Sequence, residues 1–247
     1  MKQYISILFA LLLTTTAWAQ TKAEADSAYI NKEYAKAIEI YESLLQQGES
    51  GEIYYNLGNA YFKQDELGKA IINYERALLL QPGNVDVNSN LDIARAKTVD
   101  KINPNPEVFF VAWTRALINM LPVDTWGYWG IAFFFCTLAA LAIYFFTKEV
   151  KWRKTGFFIA LISLILCIIT NLFAFEQKNK IDHRIDAIVL SPSVTVRSTP
   201  SDEGTGLFVI HEGRKVRIKD NSMKEWKEVT LEDGKVGWIP VSAIEII

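Results

Sequence analysis

The chain has 247 residues, of which 50% are hydrophobic and 22% are charged, and its formal net charge is −2. This mixture is too apolar for one soluble domain and too charged for a purely membrane-embedded chain, so we expect a mosaic of both. A net charge near zero provides no basic field for a nucleic-acid backbone, which excludes nucleic-acid binding. Cys136 and Cys167 both lie in long apolar runs, so we predict neither a disulfide framework nor a cysteine metal site.

The N-terminus has the three parts of a secretory signal peptide. Lys2 precedes an apolar stretch at residues 5–13, and the small residues Ala17 and Ala19 fit a signal peptidase. We therefore predict a signal peptide over residues 1–19, with an uncleaved anchor as the alternative. In either case, the following residues are exported from the cytoplasm.

The 34 residues from 51 to 84 carry the pattern of a paired-helix repeat. The first four diagnostic positions share one helical face, the next three repeat that spacing on a second helix, and a proline ends it. Small residues at Gly58 and Ala70 predict a close crossing of the two helices. The pattern matches the 34-residue tetratricopeptide signature. Its diagnostic positions are Tyr54, Leu57, Gly58, Tyr61, Ala70, Tyr74, Ala77 and Pro82.

Related sequence flanks this repeat on both sides. A degenerate first repeat covers about residues 21–47, where an alanine and a tyrosine stand 33 residues ahead of Ala70 and Tyr74. Residues 84–97 predict one more helix, which would cap the stack. We therefore predict an all-α tetratricopeptide-repeat domain over residues 20–100.

The first helices of such a stack form a shallow groove, which normally holds a peptide or a helix of another protein. Only Asn59 and Lys63 suit a terminal carboxylate there, so we do not predict a carboxylate clamp. For each residue of the groove, ordinary solvated surface is the alternative interpretation. The side chains predicted to project into the groove are Tyr29, Tyr55, Asn59, Phe62, Lys63, Ser89 and Ile93.

Residues 101–125 predict a linker followed by a juxtamembrane helix. The stripe formed by Phe109, Trp113 and Leu117 is apolar and rich in aromatic residues, which is typical of an amphipathic helix at the outer membrane surface. The alternative is a helix that packs against a partner membrane protein.

Two apolar runs predict transmembrane helices over residues 126–147 and 156–175, since each is long enough to cross a hydrocarbon core of about 30 Å. The loop at residues 148–155 is strongly basic, so the positive-inside rule places it in the cytoplasm. Both flanking regions are then periplasmic, on the outer side of a bacterial inner membrane. Because neither run contains an ionisable residue, we do not expect a transport pathway.

Residues 176–247 change to six short β-branched runs separated by turn residues, a pattern that predicts a small barrel. The strings VTVRSTPS and WKEVTLEDGKVGWIP resemble the bacterial SH3-type domain over about 60 residues. We therefore predict an all-β SH3-like barrel. The resemblance implies a ligand groove bordered by Arg197, Asp202 and Trp226, and a structural role for Trp238.

The whole arrangement resembles the Bacteroides aerotolerance (Bat) proteins of the E type. The specific marks are YYNLGNAYFKQDELGKAIINYERALLLQPGN, the later NSNLDIARAK, and LPVDTW before the first apolar run. The resemblance implies a cell-envelope complex with other Bat proteins, some of which carry von Willebrand A domains and are encoded beside a MoxR-type ATPase. It also implies a link to tolerance of oxygen or envelope stress, and it supplies no catalytic residues.

The sequence contains no HExxH, GxSxG or GxxxxGK[ST] motif, and His183 and His211 are isolated from any paired nucleophile. We therefore expect no enzymatic activity, cofactor or metal site. We predict a non-catalytic inner-membrane scaffold that binds partner proteins, such as von Willebrand A or other repeat proteins, through its repeat groove and SH3-type domain. The alternative is an envelope sensor whose SH3-type domain binds peptidoglycan.

Overall fold

The computed structural model describes residues 22–101 and 108–247, so the predicted signal peptide lies outside the described residues, as do positions 102–107 of the predicted linker. The helices are α1 (22–30), α2 (Tyr34–Leu45), α3 (Gly51–Lys63), α4 (Leu67–Leu80), α5 (Val85–Lys97), α6 (Phe109–Ile118), α7 (Val123–Phe146) and α8 (Val150–Asp182). The strands are β1 (Asp186–Val189), β2 (Ser193–Arg197), β3 (Gly206–His211), β4 (Lys215–Asp220), β5 (Trp226–Thr230), β6 (Val236–Pro240) and β7 (Ile244–Ile246). The helical repeats and the sheet belong to one unit, and α6, α7 and α8 belong to a second.

Helices α3 and α4 form the pair that the repeat pattern predicts. The Ser50 hydroxyl caps α3 by accepting a hydrogen bond from the Ile53 amide. A Cβ atom at Gly58 would lie 2.7 Å from the ring of Tyr74, so the two helices cross at a distance that only glycine permits. The close crossing expected from Gly58 and Ala70 is confirmed, and Ala70 is completely buried.

Helices α1 and α2 form a second pair where the degenerate first repeat is predicted. The turn between them places Lys32 in the left-handed region at φ 65°, and Asp65 does the same at φ 63° in the turn between α3 and α4. Ala37 and Tyr41 are buried, as are their counterparts 33 residues later. Helix α5 follows as the capping helix, and the side chain of Asn84 accepts hydrogen bonds from its first free amides.

The C-terminal region is an open sheet of seven antiparallel strands in the order β3-β2-β6-β5-β4-β1-β7. All six predicted strands are present, and β7 follows them as a final short strand. The predicted closed barrel is wrong, because β3 and β7 lie at opposite edges and do not pair. The edge at β7 is held instead by α4, since the Arg76 guanidinium donates a hydrogen bond to the Ile246 carbonyl.

Alternate residues of the strands build the core of the sheet on its inner face. Val196, Val216, Val229 and Ile239 are at most 1% exposed and belong to a single apolar cluster. Because the side-chain period of a strand is two, the intervening residues lie on the outer face.

Part of this outer face packs against α4. Ile188 of β1 is completely buried, although its neighbours Ala187 and Val189 point to the inner core. The residues opposite Ile188 on the adjacent strands are Lys215 and Glu245. The Lys215 ammonium lies 2.8 Å from the Glu75 carboxylate, and Glu245 lies 2.8 Å from the guanidinium of the next residue, Arg76. Two ion pairs, one on each side of the buried Ile188, therefore join the repeats to the sheet.

The turn between β3 and β4 forms a second contact with the repeats. The Glu212 carboxylate accepts a hydrogen bond at 2.8 Å from the Gly68 amide in the first turn of α4, where the positive end of the helix dipole favours an anion. The His211 ring lies 2.8 Å from the Asp100 carboxylate. A Cβ atom at Gly213 would lie 2.7 Å from both Ile71 and Thr98, so the turn meets the helices closely.

Helices α7 and α8 pack as an antiparallel pair along a seam of small and weakly polar residues. The Thr137 and Ser163 hydroxyls are 2.8 Å apart, and a Cβ atom at Gly156 would lie 2.9 Å from the Ala140 carbonyl. Small residues in such a seam let helix backbones approach closely. Helix α8 begins at Val150, inside the predicted loop, and continues to Asp182 because the polar residues on both sides of the apolar run are themselves good helix formers.

Both α7 and α8 are long and apolar enough to cross a membrane. Only 17% of the most apolar stretch of each is buried, whereas a core helix of a globular domain is mostly buried.

Helix α6 lies within the predicted juxtamembrane segment. Its last turn is held by the Gln177 amide, which donates to the Ile118 and Leu121 carbonyls, and by the Trp126 indole, which donates to Ile118.

The contact between the turn and the repeats can be tested with two glycines of matched backbone conformation. Gly213 has φ +83° against the repeats, and Gly234 has φ +85° in an exposed hairpin. Both alanine variants carry the strain of a positive φ, but only Gly213→Ala adds a collision with Ile71 and Thr98. We expect Gly213→Ala to destabilise the chain by about 1–3 kcal/mol more than Gly234→Ala, as measured by thermal unfolding in detergent. Equal losses would contradict the packing of the sheet on the repeats.

Candidate protein-binding groove

Tyrosines of α1 and α3 pack against tyrosines of α2 and α4 at the groove of the first helices. The rings of Tyr55 and Tyr74 are 6.2 Å apart, and Tyr29 packs edge to face on Tyr34 at 5.4 Å. Burial raises the pKa of Tyr29, and the nearby hydroxyls of Tyr34 and Tyr55 raise it further. The Tyr29 phenol therefore stays neutral at physiological pH and acts through hydrogen bonds and ring contacts.

A network of amides and hydroxyls lies beside this cluster. The Asn59 side-chain oxygen accepts hydrogen bonds at 2.8 Å from the Tyr74 hydroxyl and at 2.8 Å from the Asn90 amide. The same amide lies 3.1 Å from the Tyr55 hydroxyl. Tyr55 and Asn59 both contact the Asn90 amide, and Asn59 joins α3 to α4 and α5.

Asn90 was not predicted, and it has a counterpart one repeat earlier. The Asn56 amide donates a hydrogen bond at 3.2 Å to the Asp26 carboxylate, while Asn90 donates to Asn59. Each asparagine therefore reaches back to the preceding first helix. The signal for this ladder was the 34-residue spacing between Asn56 and Asn90 in the sequence.

One end of the groove is basic. Lys63 is exposed at the end of α3, and Lys97, which was also not predicted, lies 34 residues later at the end of α5. The Lys97 ammonium lies 4.3 Å above the ring of Phe62, a cation–π contact. On α5, Ile93 is 53% exposed, and Ser89 is exposed with its hydroxyl donating to the Val85 carbonyl.

Two of the three residues predicted to border the ligand groove of the sheet, Arg197 and Trp226, lie on the same face of the sheet. Arg197 pairs with Trp238, and Trp238 pairs with Glu228 on the next strand. Directly opposite residues of a sheet share a face, and Trp226 shares it because it stands two residues before Glu228. Trp238 is therefore on the outer face, half-buried beside Arg197 and Glu228, rather than in the inner cluster.

The third predicted residue of that groove, Asp202, is exposed in the loop between β2 and β3. Arg197 holds the same loop, because its guanidinium donates a hydrogen bond at 2.8 Å to the Gly204 carbonyl.

Across residues 22–101 and 108–247, no three carboxylate, histidine or cysteine side chains lie close enough to share a metal ion.

Residues 51–84 match the family model of the tetratricopeptide repeat. No curated protein matches the chain significantly. The matched segment covers helices α3 and α4, so the predicted repeat at these residues is confirmed. Repeats of this kind generally mediate contacts between proteins, which suggests the same for the groove of α1, α3 and α5.

The polar contacts on α1 predict a specific response to acid. Burial alone would raise the pKa of the Asp26 carboxyl, but hydrogen bonds from Lys22, Tyr41 and Asn56 outweigh it and hold the pKa below its ordinary value of 3.8. A lowered pKa stabilises the fold above the unfolded-state value, and that contribution is lost as the pH falls through the folded-state value. We expect Asp26→Asn to lower the unfolding temperature at neutral pH, and the difference from the native chain to shrink from about pH 5 to about pH 2.

Thermal unfolding over that pH range checks this expectation. Asp92→Asn, at an exposed position of α5, is the matched control and should follow the native chain at every pH. A constant difference between Asp26→Asn and the native chain would contradict a role for the ionised carboxylate.

Proposed function

We propose that the chain is a non-catalytic, membrane-anchored adaptor that binds a segment of a partner protein in the groove of α1, α3 and α5. The observation that carries this proposal is the packing of the sheet on α4. A repeat stack offers two faces, and on the second-helix face the chain covers α4 itself through the ion pairs of Lys215 and Glu245. The first-helix face keeps its half-exposed tyrosines and amides.

The chemistry of the groove suits a peptide or helix. Tyr29 and Tyr55 provide broad rings of low conformational entropy, a property that protein-binding surfaces exploit. The side chains of Asn59 and Asn90 already hydrogen-bond to one another, so they are preorganised. Lys63 and Lys97 place positive charge at one end, which favours a segment with an acidic residue there.

Anchoring in a membrane is supported by exposed apolar side chains on α7 and α8. Phe135 is 63% exposed, Phe145 72% and Leu172 60%, and such a continuous apolar surface requires lipid or protein around it. The repeats and the sheet belong to one unit, so we infer that both lie on the same side of the membrane. The predicted signal peptide and the basic residues between the helices favour the periplasmic side of a bacterial inner membrane.

The resemblance to Bat proteins supports a role for the chain in a complex of the cell envelope. We propose that the partners are other membrane proteins of an envelope complex, including proteins with von Willebrand A domains or further repeats. The adaptor would then act in tolerance of oxygen or envelope stress without an active site of its own.

A second candidate function is the binding of peptidoglycan by the sheet. It is favoured by the outer face, where Trp226 and Trp238 are half-buried beside Arg197. Aromatic rings next to a cation are suited to sugar and peptide ligands. Trp226→Ala would then abolish co-sedimentation of the purified chain with peptidoglycan, whereas the adaptor function predicts no change.

The groove can be tested by photocrosslinking in intact cells. A photoreactive residue at Ile93, on the groove side of α5, should form a covalent adduct with a defined membrane protein identified by mass spectrometry. Tyr55→Ala and Lys63→Glu should each reduce that adduct several-fold, since they remove a ring and reverse a charge in the groove. The same photoreactive residue at Glu39, exposed on α2, is the control. Equal adducts at both positions, or none at Ile93, would contradict a partner in the groove.

The membrane topology can be tested with single cysteines in a chain that lacks Cys136 and Cys167. A membrane-impermeant maleimide applied to spheroplasts should label Lys36→Cys in the repeats and Ser242→Cys in the sheet. It should label Lys151→Cys, between the two apolar helices, only after lysis. Labelling of Lys151→Cys in intact spheroplasts would refute the periplasmic orientation.

A further inference from the structure

An open groove of about 870 Å³ runs along the outer surface of α7 and α8. It lies between the beginning of α7 and the end of α8, which are adjacent because the helices are antiparallel. Most of its lining is apolar, but two charged side chains and one amide take part. Asp124 stands on α7, and Asn171 and Lys178 stand on α8.

Asn171 is the unusual residue of this groove. It lies inside the predicted span, one turn from its end, and it is exposed. Its amide nitrogen donates a hydrogen bond at 2.8 Å to the Cys167 carbonyl, one turn earlier. Within the described residues, its amide oxygen accepts no hydrogen bond. Lipid tails offer no donor, so an adjacent protein surface that supplies one stabilises this amide.

The backbone of α7 is open to close approach at the same groove. A Cβ atom added at Gly127 would meet nothing within 4 Å, so no side chain of this chain fills the space in front of it. A helix from another molecule would reach the α7 backbone there. Close contacts of this kind are typical of helix association in membranes.

The two charges of the groove are complementary to each other and stand on opposite helices. Asp124 is in the first turn of α7, and Lys178 is in the part of α8 beyond the apolar run. Lys178 pairs with Asp182 at 3.0 Å, yet its side chain remains 61% exposed, so its ammonium has further donors for another carboxylate.

We propose that the groove binds the same groove of a second copy of this chain. This inference rests on the proposed membrane anchoring and is independent of the partner of the repeat groove. A two-fold axis along the membrane normal sets α7 of each copy against α8 of the other, which gives a four-helix arrangement. Asp124 of one copy then faces Lys178 of the second copy, and the reciprocal pair forms at the same depth.

The symmetric arrangement accounts for the two charges and the amide of the groove at once. Each carboxylate gains an ammonium, and each Asn171 side chain lies near the interface, where an amide offers both a donor and an acceptor. An unrelated helix would need an acidic, a basic and an amide-binding position in matching places. A second copy carries them by symmetry, because an isologous interface pairs each surface with itself.

Two tagged forms of the full chain, co-expressed and incorporated into nanodiscs, test this dimer. One tag should recover the other for the native chain. Asp124→Lys alone and Lys178→Asp alone should each reduce co-recovery at least tenfold, because each sets like charges against each other twice. Co-expression of one Asp124→Lys chain with one Lys178→Asp chain should restore it, since both contacts between those two copies then join opposite charges.

Two further variants complete the test. Lys180→Asp reverses a charge two residues along α8 but outside the groove, and it should leave co-recovery unchanged. Asn171→Leu should reduce co-recovery several-fold. Failure of the mixed pair to recover, or a native chain that is monomeric in nanodiscs, would overturn the dimer. Release of the native chain from membranes by alkaline carbonate would instead show that the anchoring itself is wrong, and the dimer with it.

Discussion

The burial of one carboxylate, that of Glu75, constrains the unit formed by the repeats and the sheet. Its side chain is 9% exposed, and its two oxygens bond to Arg95 of α5 and Lys215 of β4. Leaving a charge at that depth without partners is strongly destabilising, so α5 and β4 have to remain within ion-pair distance of α4. The next residue, Arg76, extends the contact to Glu245 of β7. Consecutive residues of one helix thus hold the capping helix and two strands.

The contact with α4 gives the sheet a structural role in the repeat stack. A stack of two repeats and a capping helix is short, and its second helices would otherwise present an apolar surface to water. In the structure, α4 is buried on nearly every side, including Ile71 and Ile72. The sheet therefore covers α4 as a further repeat would, through contacts with Gly68, Glu75 and Arg76. The repeats and the sheet fold as one unit despite their separation in the sequence.

The sequence predicted well the helices and strands whose residues follow a local periodicity. The spacing of Gly58 and Tyr74 identified the helix pair, and alternation located the strands. It could not reveal that the sheet stays open, because alternation shows which face of a strand is apolar but not which strands close on each other. It did contain a sign of the contact with α4: residues 187–190 are continuously apolar, as expected for a strand buried on both faces. The pairing of Asp100 with His211 left no such sign, since isolated charged residues have no period.

The rigid contact also affects how a partner would bind. The groove of α1, α3 and α5 and the outer face around Trp226 belong to the same unit, so their relative positions are set before any partner arrives. A partner that touches both surfaces would not have to order a flexible linker, and its second contact would form at a high effective concentration. Loss of the Glu75 ion pairs would weaken the contact between the two surfaces and reduce this advantage. In the proposed adaptor, the residues that join the repeats to the sheet would therefore influence binding without touching the partner.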